Sequence, residues 1–305
     1  MFMSDPQPLE GNASVAIAQR QFKTYILQDP NHLARLEVVP ERGGIITSWC
    51  VGDRELLYLD AERFANPSLS IRGGIPILFP ICGNMPDDAY THSDRFYTLK
   101  QHGFARDLAW QVDEKSLNTS EDSTSITLTL TSNAQTLVGY PFDFDLAFTY
   151  RLQSNTLTIH QRYTNRSAEP MPFSSGLHPY FLTTDKSKLS FHLPATQYWD
   201  HVSHSTQTYA GGFDFSQDQI DLGFRPLSGS SAQIFDTGNQ SLTLNYDQHY
   251  TTLVFWAIKG KDYVCLEPWT APRNAMNTGE DLIYLAPNTS LEMQVQFAAS
   301  LTLEA

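Results

Sequence analysis

A chain of 305 residues, 41% hydrophobic and only 17% charged, carries enough apolar material for a large core and is not disordered by composition. Acidic side chains outnumber basic ones 33 to 20, and the net charge of −13 disfavours nucleic-acid backbones and anionic lipid surfaces as partners. Its three cysteines, Cys50, Cys82 and Cys265, lie far apart and form neither a disulfide framework nor a Cys-x-x-Cys zinc motif.

Residues 1–14 are polar, include Asp5 and Glu10, and lack the basic stretch and apolar core of a signal peptide, so they are expected to be a flexible extension. No apolar run anywhere approaches the roughly 20 residues of a membrane helix. The expected location is therefore the cytoplasm, without membrane attachment. No linker-like segment or charge block divides the chain, and residues 1–305 are expected to form a single domain.

The first segment that stands out is Arg72-Gly73-Gly74-Ile75-Pro76. A glycine pair permits close approach of backbone to a ligand, and Arg72 offers a planar fork of donors to hydroxyl, carboxylate or phosphate oxygens. The plainer reading is a turn that feeds the apolar run Ile77-Leu78-Phe79, with Arg72 in solvent. Next comes His102-Gly103-Phe104-Ala105-Arg106, where a histidine beside a glycine can sit close to a ligand or to neighbouring backbone.

Beyond residue 120 the dominant period is two. Ile126 to Leu130 alternates, and Phe142, Phe144, Leu146, Phe148, Tyr150 and Leu152 alternate with polar residues; after a polar turn, alternation resumes at Leu157, Ile159, Gln161 and Tyr163. This reads as a long hairpin with one face on a core. Leu242 to Tyr246 and Leu291 to Phe297 repeat the pattern, and no window carries a helical apolar stripe of useful length. The fold is expected to be all-β, a large antiparallel two-sheet β-sandwich.

Two segments carry residues suited to proton transfer. In Leu177-His178-Pro179-Tyr180-Phe181, Pro179 confines the backbone of His178 to extended conformations, and Pro268 does the same for Glu267. Leu253 to Ile258 and Tyr263 to Glu267 read as consecutive strands, which puts Tyr263, Cys265 and Glu267 on one face. A histidine facing a partly buried carboxylate can run acid–base chemistry near neutral pH. A nucleophile elbow, a phosphate loop, a dinucleotide motif and a zinc helix are all lacking. His201 and His204 would face opposite sides of a strand, so no metal site is expected.

Taken in order, Arg72-Gly73-Gly74-Ile75-Pro76, His102-Gly103-Phe104-Ala105-Arg106, Leu177-His178-Pro179-Tyr180-Phe181 and Cys265-Leu266-Glu267-Pro268 resemble the aldose 1-epimerase (galactose mutarotase-like) family. The resemblance implies a β-supersandwich with a sugar cleft, no cofactor, and exchange of α and β anomers of a hexose or hexose 6-phosphate. It implies that Glu267 is the general base and His178 the general acid. It further implies that Arg72, His102, Asp200 and Arg106 bind substrate, with Asp200 in the least similar surroundings. The glycine and histidine motifs look closer to the hexose-6-phosphate branch than to the free-galactose branch, and a phosphate would need Arg72 and Arg106, with Arg95 as a further candidate, to converge at one end of the cleft. The partner is then a small-molecule sugar or sugar phosphate, bound by a monomer or homodimer. The alternative is a non-catalytic carbohydrate-binding protein on the same fold.

Overall fold

The long hairpin forms as its alternation requires. Phe144–Gln153 and Thr156–Asn165 pair antiparallel, and Phe144, Leu146, Phe148, Tyr150 and Leu152 are all buried while the residues between them are partly or fully exposed. The computed structural model describes residues 15–29, 33–120, 122–236 and 240–300. The extension expected at 1–14 lies outside the described residues.

Two large sheets hold most of the chain. In the first, nine-stranded sheet the hairpin is central, followed on one side by Thr124–Thr131 and on the other by Ser290–Ser300, Gln240–Tyr246, Ser231–Asp236 and Leu189–His192. The second has eight strands, in the order Ser205–Thr208, Gln197–Asp200, Gln219–Phe224, Thr252–Ile258, Tyr263–Trp269, Gly176–Leu177 and Ile77–Leu78, with Tyr180–Leu182 also paired to Tyr263–Trp269. A five-stranded meander from Val15–Gln19 to Arg54–Glu55 joins the same core through Leu27, Leu36, Val38 and Trp49. The all-β antiparallel sandwich is thus present. Its α-helices are short: Ala61–Ala65, Ala134–Gly139 and Ala275–Thr278 among the described residues.

One apolar cluster fills the space between the sheets. From the first sheet it takes Phe148, Tyr163, Val295 and Phe297; from the second, Leu222, Phe224, Leu253, Phe255, Val264 and Leu266. Each such side chain contributes roughly 1.5–3 kcal/mol on burial. This packing decides where the opposite face of the second sheet points. Because alternate residues of its strands are committed to the core, Asp221, Trp256, Cys265 and Glu267 are forced to the other side.

Candidate active site

On that outer face lies a cavity of about 350 Å³ whose lining includes Arg72, His102, Arg106, His178 and Glu267. This lies within the range of small-molecule sites, roughly 300–1,000 Å³. The four anchor motifs, far apart in sequence, converge there.

Glu267 is 1% exposed. Its Oε2 accepts the indole N–H of Trp269 at 3.1 Å, and its Oε1 lies 3.3 Å from Nε2 of His178. His178 sits between the short strands Gly176–Leu177 and Tyr180–Leu182, where its main-chain N–H donates to Pro76 O at 3.0 Å. Its ring stacks on Tyr180 with centroids 4.7 Å apart and meets Trp256 edge-on. Backbone anchor and aromatic walls together leave the imidazole one orientation.

Burial governs the electrostatics of the pair. It pushes the Glu267 carboxyl well above its usual range, with Asp221 adding to the rise and Arg273 opposing it. Burial, and next the Arg106 guanidinium, hold His178 down to about 3. Both shifts disfavour charge on groups that lie 3.3 Å apart.

His102 is locked by a single residue. Its main-chain N–H donates to Gly83 O at 2.7 Å, and its Nδ1 accepts the Gly83 N–H at 3.1 Å. Nδ1 is then the acceptor, so Nε2 carries the proton and is a fixed donor. Burial and the nearby Arg106 keep this ring neutral as well. Gly83 has φ of +72°, and a Cβ there would fall 2.3 Å from Cγ of Arg273. The same glycine therefore orients His102 and admits Arg273.

The glycine pair of the first motif serves another purpose than ligand approach. A Cβ on Gly74 would meet Ile46 O at 2.2 Å, and one on Gly73 would meet Leu59 Cα at 2.5 Å. The close contacts are to neighbouring chain, so the turn reading holds for the glycines. Arg72 is nevertheless a cavity residue, its guanidinium 5.6 Å from the Trp256 ring. Arg106 also lines the cavity, held by a 2.8 Å bond from Nη2 to Gln101 O.

Asp200 does not line the cavity. Its carboxylate accepts from the main-chain N–H groups of Val202 and Ser203 and from the Ser203 hydroxyl, capping the turn after its own strand. On the adjacent strand, Asp221 lines the cavity instead, 7% exposed and bound through both oxygens to Nη2 of Arg273 at 2.7 and 2.8 Å. Arg273 also reaches Asn84 Oδ1 at 3.2 Å. Arg95 lies on the exposed hairpin strand Arg95–Thr98 and is not among the lining residues, whereas Arg63 is. Sequence reasoning missed Asp221, Arg63 and Arg273. Of these, Asp221 carried a signal: it alternates with Ile220, Leu222 and Phe224 of the core.

An all-β antiparallel sandwich whose polar, arginine-lined cavity holds a histidine and a carboxylate fits an isomerase that works on sugars. Residues 24–298 match the family model described as Aldose 1-epimerase, and the chain belongs to that family. It is an epimerase or mutarotase of sugars. The solved structure of the Slr1438 protein from Synechocystis sp. PCC 6803 is 42% identical, with a TM-score of 0.88 over 98% of this chain and 99% of that one. A galactose mutarotase-like protein from Clostridium acetobutylicum shares the fold with a TM-score of 0.82 at 19% identity, covering 95% of this chain and 99% of that chain. Among curated relatives, an Escherichia coli K12 protein named "Putative glucose-6-phosphate 1-epimerase" is 26% identical over 220 residues, 70% of this chain and 68% of its own length.

Proposed function

We propose that this chain interconverts the α and β anomers of a hexose 6-phosphate, with Glu267 as general base and His178 as general acid. The observation that carries the reading is the 3.3 Å approach of His178 Nε2 to Glu267 Oε1 on the wall of an arginine-lined cavity.

Glu267 takes the proton from the anomeric hydroxyl, the C1–O5 bond breaks as C1=O1 forms, and O5 takes a proton from Nε2 of His178. Rotation about C1–C2 and reclosure with roles reversed gives the other anomer. The proton count balances within the pair: a carboxylate and an imidazolium become a carboxyl and a neutral imidazole. Burial favours that second distribution, the state reached on ring opening. No nucleophile or redox group is called for, because ring opening moves only protons and one C–O bond. The fixed Nε2–H of His102 is a donor to the ring oxygen or a hydroxyl, and Trp256 lines the same cavity.

Charge supports the phosphate. In a chain of net charge −13, four arginines, Arg63, Arg72, Arg106 and Arg273, line one cavity against the carboxylates Asp221 and Glu267. Arg273 is engaged by Asp221, whereas Arg63, whose Nε donates to Ser70 O, and Arg72 line the cavity with guanidinium groups of the kind that bind phosphate oxygens. The name of the Escherichia coli relative agrees with this substrate class. Exchange spectroscopy of glucose 6-phosphate and glucose with the purified protein tests the reading. Faster anomer exchange of the phosphosugar is expected; spontaneous rates with both sugars would refute it.

A further inference from the structure

Cys265 lies two residues before Glu267 on the same face of the strand Tyr263–Trp269, fully buried, with Tyr180 and Tyr263 around it. Ligand atoms of His178, Cys265 and Glu267 all lie within 4.8 Å of one another, the one such group of three among the described residues. Anomer exchange has no use for this thiol. We propose that these three side chains form a site for a thiophilic divalent cation, Zn²⁺ in the first instance, whose binding blocks the acid–base pair.

The donor set is the argument. Thiolate, imidazole and carboxylate together are a zinc set, and three protein ligands leave a fourth position open toward the cavity for water. Zinc bonds of about 2.0–2.3 Å require donors roughly 3.4–3.8 Å apart, so the widest separation must close by about 1 Å when the ion binds. On binding, the S–H bond of Cys265 breaks, an S–Zn bond forms, and the thiol proton leaves to solvent. Glu267 gives up any proton it carries in the same way. With thiolate, carboxylate and neutral imidazole the bound Zn²⁺ is compensated, so the cavity arginines meet no added net charge.

The surroundings fit an exchangeable ion better than a resident one. Nδ1 of His178 is buried without a hydrogen-bond partner among the described residues, whereas metal-ligating histidines ordinarily donate that second N–H to a carboxylate or carbonyl. Glu267 is shared with Trp269. The ion is therefore expected to be lost to chelators, leaving active enzyme.

The inhibitory part of this inference rests on the acid–base roles proposed above; the binding part does not, and two readouts separate them. Zn²⁺ is titrated into the anomer-exchange assay of the full chain, and Co²⁺ is added in a parallel absorption experiment to detect a thiolate-to-cobalt charge-transfer band. Expected are inhibition reversed by EDTA, a cobalt band in the wild type, and loss of the band in Cys265→Ser with at least about tenfold weaker zinc inhibition. Metal-free activity of that variant should stay within about twofold of wild type, since Cys265 takes no part in the proposed proton transfers. Cys265→Ala repeats the cobalt measurement if the serine variant does not fold. Cys50→Ser, which removes the partly exposed thiol beside Glu55, should behave as wild type. An active wild type without the band, or zinc sensitivity that survives in Cys265→Ser or vanishes in Cys50→Ser, overturns the site. A Cys265-dependent band in a protein that exchanges no anomers overturns the proposed function and leaves the site standing.

Discussion

The indole N–H of Trp269 donates to Oε2 of Glu267 across 3.1 Å, from the same strand and two residues further on. Strand geometry makes the contact, because residues two apart share a face. The bond favours the carboxylate and opposes the burial that pushes the Glu267 carboxyl upward. It also leaves Oε1 free to face His178.

Trp269→Phe keeps an aromatic ring, though a smaller one, and removes this donor. The carboxyl of Glu267 then titrates at still higher pH, so the acid limb of kcat/KM should move upward. Turnover at neutral pH should fall about tenfold, as expected for a charge-assisted hydrogen bond of ~1.5 kcal/mol. A pH profile of anomer exchange measures both, and an unmoved acid limb would remove Trp269 from any role in setting the base.

Glu267→Gln tests the base itself. The amide fills the same space but cannot accept the hydroxyl proton. Turnover should drop about 10²–10⁴-fold while sugar-phosphate affinity, read by calorimetry, changes little. Retained turnover would transfer the base role to another group, and Asp221 would be the first to examine.

Arg72→Ala and Arg63→Ala probe the phosphate end. Each removes a charged donor worth about 1.5–3 kcal/mol, so KM for glucose 6-phosphate should rise roughly ten- to hundredfold. KM for glucose should move less than about twofold by the same reasoning. Equal changes on both substrates would mean that these arginines hold sugar hydroxyls.

Sequence pattern reached the fold because period two is read directly from side chains that must alternate between core and solvent. The same pattern placed Glu267, since Val264 and Leu266 are committed to the core. Residues whose role depends on pairing between distant segments were harder. Asp200 and Asp221 lie on neighbouring strands, with Asp200 opposite Leu222, and only the register decides which carboxylate reaches the cavity. The tautomer of His102 is fixed by Gly83, 19 residues away, through two main-chain contacts that no local motif encodes. Arg273 follows Glu267 by a short stretch, yet its use depends on Gly83 leaving room for its Cγ. For the Gly73-Gly74 pair the plainer turn reading holds, and what approaches it is Leu59 and Ile46.

His178 should also leave a signature in stability. It is held down to about 3 in the folded chain, against 6.5 for a free imidazole, with burial the main cause. A depressed value means that the unfolded chain binds the proton first as pH falls. The contribution is therefore complete above about pH 6.5 and is lost progressively toward pH 3. At 1.36 kcal/mol for each pH unit, the wild type should lose about 3 kcal/mol between pH 7 and pH 4 through this residue alone. His201, held down to about 4, adds a similar trend, so the comparison must be with His178→Gln, which retains His201. Urea unfolding of both proteins at the two pH values gives the difference. The wild type should weaken more than the variant by that amount. Parallel losses in the two would mean that burial does not depress the His178 imidazole in the folded chain.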